Sequence, residues 1–440
     1  MRQCVYQRVA LAGALFLLPC TAWAQASVEV NAGIQFDFVN PGARSLALGG
    51  AFTGLADDAT SAFTNPAGLR SLPRPEFSIE GRQRNYSTPF TFGGHVFGSP
   101  TGVGIDTVGG LLDRDSDSNS FGASFVSGVY PLGKWAIAGY RHELARFETD
   151  LDTEGAFYDT GPINVARASP TVGNLDIDIV AYGASASRRI TDAFSLGLSV
   201  AYYDFSMRSR TTRYALSGAS AAAGSFFGPA LKNAGNINNE QTQDGDDTAV
   251  GVNVGMAWEI SRAFRVGAVY RQGPSFDIRV TNTSPSGQVF LDTTGRFNVP
   301  DVYGVGVAVR PVSSLQLAID LNRVRYSSLT EGFVAVFSGA AEDFHVRDGF
   351  ETHVGAEYGF VKLKNPIFLR GGFWYDPAHS IEFDPLSSRV VAESLLFRPR
   401  EDTFHFSGGA GVTFRHFEVN GAGDFSERSN TVSVSTVIRF

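Results

Sequence analysis

Three observations predict an all-β fold, a transmembrane antiparallel β-barrel of fourteen strands with an N-terminal hatch. Run after run of the chain alternates apolar and polar residues with period two. The connections between those runs alternate short and long. The last run ends on an aromatic carboxy-terminal residue, Phe440. An amphipathic helix would repeat every three or four residues, whereas a strand facing lipid on one side and water on the other repeats every two.

The first residues read as an export signal. Arg2 and Arg8 give a basic start, Val9 to Leu18 is a short apolar run, and Ala22-Trp23-Ala24 has the small-x-small form of a cleavage site. This predicts a signal peptide over 1–24 and a mature chain from Gln25. The run is too short for a membrane anchor, and nothing after Gln25 offers the ~20 apolar residues of a spanning helix.

Residues 25–75 do not alternate. They hold Gly49-Gly50-Ala51-Phe52, Ala56-Asp57-Asp58-Ala59 and Asn65-Pro66-Ala67-Gly68-Leu69. A short helix capped by Asp57 or Asp58 is expected, ending at Asn65 because the residue before proline disfavours the helical region. A compact, glycine-punctuated piece ahead of a barrel suggests a plug in the lumen.

The barrel itself is expected over 76–440. The alternating runs are 76–86, 121–130, 134–147, 176–190, 194–208, 248–260, 264–274, 301–310, 314–324, 350–359, 366–375, 404–414, 417–425 and 431–440. Each is near or above the 9–11 residues a tilted strand needs to cross. An even number puts the first and last strands antiparallel. Short turns follow the even strands, as at Pro131-Leu132-Gly133 and Ser261-Arg262-Ala263. Long connections follow most odd ones, at 87–120, 148–175, 209–247, 275–300, 325–349 and 376–403. Outer-membrane barrels keep this parity, with short periplasmic turns and long outside loops.

Composition agrees. The formal charge is −8, and loss of the signal would remove two arginines and no acid. No segment forms a basic stripe, so nucleic acid is not an expected partner. Cys4 and Cys20 are the only cysteines and both lie in the signal, so the mature chain has no disulfide. A closed barrel supplies what disulfides would, because every strand is paired.

The run Asp113-Arg114-Asp115-Ser116-Asp117-Ser118-Asn119 alternates oxygen ligands but lacks the glycine and glutamate of a calcium loop; it reads as an acidic outside loop. The seven histidines form no HExxH, so no metal and no cofactor is expected. Gly183-Ala184-Ser185-Ala186-Ser187 lies in an alternating strand, which is not a nucleophile elbow. His353 and His405 lack a matching nucleophile, so no enzyme is expected.

The hatch sequences just quoted resemble those of FadL/TodX-type outer-membrane transporters, which carry long-chain fatty acids or aromatic hydrocarbons. The likeness continues through Val299-Pro300-Asp301-Val302-Tyr303-Gly304, Ala318-Ile319-Asp320-Leu321 and Leu369-Arg370-Gly371-Gly372-Phe373-Trp374-Tyr375-Asp376. The resemblance implies a fourteen-stranded barrel with passive uptake of a hydrophobic ligand, by default a long-chain fatty acid. The ligand would leave sideways through a gap where one strand bends inward. It also implies a monomer in the outer membrane of a Gram-negative bacterium, beside lipid and lipopolysaccharide, with Phe440 read by the barrel-assembly machinery. Gly49, Gly50, Asn65, Pro66 and Ala67 would belong to the gate, with Asn-Pro-Ala beside the bend. Gly139 in the third strand is the candidate bend, since glycine in a strand often marks a kink.

Phe36, Phe38, Phe52 and Phe63 are expected in the ligand pathway. Arg141, Arg271, Arg310 and Arg370 lie on strands, where an arginine could pair with a ligand carboxylate or form a ladder with Asp320, Glu259 or Glu357. Two other functions fit such a barrel. The Gly-Gly-Ala-Phe region also resembles PorV-like barrels that shuttle secreted proteins, and some outer-membrane barrels are hydrolases.

Overall fold

The computed structural model describes residues 24–26, 28–95, 105–107, 110–161, 164–216, 230–335, 340–385 and 392–440. The segment expected to be a signal peptide, apart from Ala24, lies outside the described residues. Fourteen antiparallel strands form the wall, numbered here in chain order. They are β1 Glu76–Gly93, β2 Leu111–Leu132, β3 Trp135–Thr153, β4 Thr171–Arg189 and β5 Phe194–Tyr214. Next come β6 Ile237–Ser261, β7 Phe264–Arg271, β8 Val302–Val312, β9 Leu315–Val324 and β10 Gly349–Phe360. The last are β11 Ile367–Asp376, β12 Thr403–Thr413, β13 Phe417–Phe425 and β14 Ser429–Arg439.

Each wall strand pairs with its neighbours in sequence, and β14 pairs with β1, with Ser78 opposite Val437. The cylinder therefore closes. The terminal strand points Val432 and Val434 outward and buries Thr431, Ser433, Ser435 and Val437 inside, as its alternation predicts. Aromatic side chains on the outer surface, among them Tyr130, Trp135, Trp258 and Tyr358 toward the short turns and Tyr182, Tyr202 and Tyr303 toward the other end, mark the two rims of a lipid-facing band.

Several of the expected outside loops are strand. β1 and β2 stay paired out to Gly93–Leu111, so Asp113 to Asn119 lie in a ladder and not in a loop. β4 and β5 stay paired out to Thr171–Arg213, and β5 and β6 out to Tyr214–Ile237. The segment 275–300 holds a further hairpin, Ser275–Thr283 with Val289–Asn298, which adds to the outer end of β6.

Beyond the band the strands reverse their polarity. In β4, Tyr182 faces out while Gly183, Ser185 and Ser187 face in; further out, Asp176 is exposed while Leu175, Ile177 and Ile179 are buried. The medium outside the wall changes from lipid to water, so the apolar side changes with it. The outer lumen is consequently a packed core and not a wet bore. Phe36, Phe125, Phe147, Phe205, Phe276 and Phe297 belong to it.

Candidate functional site

The hatch occupies the barrel below this core. After a 3-10 turn at Glu29–Asn31 the chain runs extended to Asn40, then forms α1 Ala43–Ala47, α2 Ser61–Thr64 and a 3-10 helix Pro66–Ser71 before joining β1. Asp58 does not cap α2 directly. Its Oδ1 accepts from the backbone N–H and hydroxyl of Thr60, at 2.9 and 2.6 Å, and so fixes the turn that leads into α2. Asn65 ends α2 and its Oδ1 accepts from Ala67 N–H at 3.2 Å, which starts the next helix with Pro66 in its first position.

The wall receives the hatch on inward-facing glycines. A Cβ added to Gly197 would lie 2.2 Å from the Ala67 nitrogen, one on Gly255 2.1 Å from Asn65 Oδ1, and one on Gly267 2.2 Å from the Thr53 oxygen. On the hatch side Gly49 and Gly50 have φ of +63° and +77°, a region that favours glycine. Gly49 also lies against the backbone of Phe373, where a Cβ would approach to 2.8 Å.

Polar groups complete the docking. Asp320 of β9 accepts from Phe52 N–H and Thr53 N–H at 2.7 and 2.5 Å. It therefore holds hatch backbone and takes no part in an arginine ladder. Asn65 Nδ2 donates to Thr53 O and to Met256 O of β6, at 3.0 and 3.1 Å. Ser187 and Ser195 donate to Ala67 O, each at 3.1 Å. The polar bonds of Asn65 and Ala67 thus reach β4, β5 and β6, while α2 and the helix Pro66–Ser71 also lie against β3, the strand by which the resemblance places them.

A charged network ties α1 to the wall. Arg44 donates to Glu357 at 2.9 Å and to Asp57 at 2.5 Å, and Glu357 is shared with Arg370 at 2.7 Å. Burial works against the Arg44 charge, yet Asp57 and Glu357 hold its pKa well above the usual range; burial raises Asp58, with Arg44 pulling the other way. The expected ladder therefore exists for Arg370. Glu259 pairs instead with Arg265 at 2.8 Å.

The wall is interrupted between β2 and β3. Their ladder runs only from Leu132–Trp135 to Phe125–His142, although both strands continue outward. Beyond that point β2 follows β1 and β3 follows β4. Two irregularities sit there, an extra residue at Ser124 in β2 and another at Leu144 in β3. Gly139 is paired regularly on both sides, to Gly128 and Ala184, so the break lies further along β3 than predicted. Asp37, Val39, Arg82, Arg84, Glu143 and Leu144 are among the residues that line it. Phe63 of the hatch lies beside it as well, its ring centroid 4.4 Å from that of His142.

An apolar pocket lies inward of Leu144, lined by Phe38, Phe63, Leu144, Tyr203, Val299 and Val302 with Arg271. Arg271 lines a second cavity as well, beside Phe38, Asn40, Glu351 and His353. Its Nη1 donates to Asn40 Oδ1 at 2.7 Å, its guanidinium carbon is 5.6 Å from the Phe63 ring centroid, and its Nε has no hydrogen-bond partner. It is 9% exposed and, among the described residues, no carboxylate lies within ion-pair distance of it. The other three arginines are placed differently. Arg141 faces Glu143 at 3.8 Å on the outer side, Arg310 donates to Gln316 at 3.1 Å near a short turn, and Arg370 is neutralised as described. Phe38 and Phe63 line the pocket as expected. Phe36 instead packs in the outer core, 5.6 Å from Phe147 and 5.5 Å from Phe297, and Phe52 packs against Leu48, Leu55 and Ala308.

Of the histidines His353 and His405, the first bonds the hatch and the second a wall residue on the adjacent strand. His353 Nδ1 lies 2.7 Å from Gly49 O and His405 Nδ1 2.7 Å from Asp424 Oδ1. Neither bonds a hydroxyl side chain among the described residues. What sequence reasoning missed is the role of the wall glycines and of Asp320. The only signal was their inward place in the alternation, which does not say what they meet.

A closed fourteen-stranded barrel, stoppered by its own amino-terminal segment and interrupted between two strands, defines an outer-membrane transport barrel. Comparison with known proteins agrees. The model of the family described as outer membrane protein transport protein (OMPP1/FadL/TodX) matches residues 158–390, and the chain belongs to that family. No curated protein sequence matches it. Among solved structures it is similar to a Pseudomonas aeruginosa FadL homologue, with TM-score 0.61 and 14% identity over 93% of this chain and 100% of that one. It is also similar to the Ralstonia pickettii toluene transporter TbuX, with TM-score 0.58 and 17% identity over 92% and 99%. The P. putida toluene transporter TodX gives 0.58 and 15% over 92% and 99%. At these identities the likeness is one of fold.

Proposed function

We propose that this protein admits hydrophobic molecules bearing a carboxylate, by default long-chain fatty acids, across the outer membrane by passive diffusion. The observation that carries the reading is Arg271. A buried guanidinium with no carboxylate in contact costs free energy, offset only in part by Glu351, which lines the second cavity with it, and here it sits at the wall of an apolar pocket. A ligand carboxylate would complete its hydrogen bonds, while the acyl chain would lie along Phe38, Phe63 and Val302. An aromatic hydrocarbon, which relatives of this fold are named for, could offer Arg271 a ring face but no anionic acceptor for its hydrogen bonds.

The free space in each of the two cavities that Arg271 lines is about 30 Å³. That is room for a water molecule or two and far less than an acyl chain. Entry therefore requires the extended segment 32–40, which carries Phe38 and Asn40, to move. Leu144 and the lead-segment residues Asp37, Phe38 and Val39 join the pocket to the break between β2 and β3, and that break is the exit in this reading. Polar lipopolysaccharide bars a fatty acid from the outer leaflet. A pocket with a side exit removes that barrier without energy input.

The test is uptake of radiolabelled oleate and of toluene by a deletion strain carrying the wild-type gene or none. Oleate uptake restored well above the toluene effect supports the reading. Toluene uptake alone, or neither, would overturn it.

A further inference from the structure

We propose that Asp37, Asp376 and His379 form a site for one divalent metal ion of the zinc type, where the hatch meets the outer end of β11. The three residues come from separate places. Asp37 lies in the lead segment between Phe36 and Phe38, Asp376 ends β11, and His379 is in the connection that follows. Each offers one ligand atom, and the three atoms lie within 4.8 Å of one another.

Two carboxylates converge on one imidazole. Asp37 has no hydrogen bond or ion pair with any described residue. Asp376 is 2% exposed, and its Oδ1 makes no hydrogen bond, only an ion pair with His379. The gap from that oxygen to His379 Nδ1 is 3.3 Å. Two ligands of a tetrahedral zinc ion stand about 3.3 Å apart when its bonds are near 2.0 Å. The same nitrogen donates its N–H to the Pro377 carbonyl oxygen at 2.8 Å, and the ion would take the place of that proton. Imidazole with two carboxylates suits zinc better than calcium or magnesium, which favour all-oxygen shells.

The surroundings fix the imidazole. Its ring stacks on Tyr326, with centroids 3.9 Å apart and an 8° angle between planes. The Tyr326 hydroxyl donates to Glu351 at 2.6 Å, and the backbone N–H of His379 donates to Gln35 Oε1 at 3.3 Å. Such outer contacts orient a metal-binding histidine. Asp37 is only half-buried and lines a cavity with Phe38 and Asn40, which gives an ion a way in. Bound there, the ion fastens the lead segment to the wall.

The experiment uses the mature protein in detergent, stripped with EDTA and equilibrated with zinc chloride. Metal content is read by mass spectrometry after gel filtration, and affinity by calorimetry. One zinc per chain is expected, with affinity at least tenfold lower in Asp37→Asn and in His379→Gln. Heat-modifiable migration on gels checks that each variant is a folded barrel. Zinc should also slow proteolysis of the lead segment in the wild type and not in Asp37→Asn. No stoichiometric zinc in the wild type, unchanged affinity in both variants, or tighter binding of calcium would overturn the proposal. No uptake measurement enters, so its failure leaves the transport reading intact.

Discussion

The carboxylate of Asp320 in the wall accepts the backbone N–H of Phe52 in the hatch at 2.7 Å. The same oxygen takes Thr53 N–H at 2.5 Å, and the residue is 1% exposed. Hydrogen bonds to an ionised acceptor contribute about 1.5–3 kcal/mol each. Asp320→Asn turns an ionised acceptor into an amide that must aim one carbonyl at two donors. The expected outcome is a hatch cleaved several-fold faster by added protease, in a barrel whose heat-modifiable migration is unchanged. Equal cleavage rates would show that Asp320 does not hold the plug.

The inward glycines make a second prediction, because a side chain there has nowhere to go. A Cβ at Gly197 or Gly255 would fall 2.2 or 2.1 Å from hatch atoms, while one at Gly371 would meet nothing within 4 Å. Gly197→Val and Gly255→Val should displace the hatch and raise single-channel conductance. Gly371→Val should not. Planar bilayer recordings decide it, and wild-type conductance in the first two would refute the close fit.

Much of the wall was legible in the sequence because lipid imposes one rule on every strand that crosses it. The runs at 417–425 and 314–324 match β13 and β9 to within a residue. Legibility failed where the medium changes. In β4, Asp176 and Asp178 face out and Ile177 and Ile179 face in, the reverse of the same strand lower down, so the strand begins at Thr171 and not at 176. In β2 the stretch from Asp113 to Asn119 is polar on both faces and carries no period at all. The hatch was legible as a non-alternating insert, but its docking was not. Asp320 and Gly255 look like ordinary inward positions until the backbone of Thr53 or the amide of Asn65 is set against them. Arg271 could be nominated from sequence, but only the fold separates it from Arg370, whose acids Glu357 and Glu418 come from β10 and β13.

Arg271 gives the third prediction. If it anchors a ligand carboxylate, removal of the guanidinium forfeits a charged hydrogen bond of about 1.5–3 kcal/mol, a roughly ten- to hundredfold loss of affinity. Arg271→Met keeps an unbranched apolar side chain in the pocket but is shorter and loses the guanidinium over Phe63. Its barrel should be as stable as the wild type or more so, since a buried unpaired charge is gone. Calorimetric titration with oleate should show the loss, and titration with the methyl ester should show none. The same loss with both ligands would mean that the substitution reshaped the pocket.

The break between β2 and β3 gives the last prediction. Leu144 is the extra residue in β3 where Glu143 pairs with Val180 and Ala145 with Ile179. A bulge bends its strand and turns it away from one neighbour. Glu143 and Ala145 already face consecutive residues of β4, so deleting Leu144 would make them adjacent in the chain as well, straighten β3, and bring its outer half back beside β2. The exit would narrow while the pocket kept Arg271 and Phe63. Oleate should then still bind to the purified variant, within a few-fold of wild type, while uptake by cells falls at least tenfold. Binding and uptake lost together would point to a damaged pocket, and uptake at the wild-type rate would mean that ligand leaves the barrel by some other route.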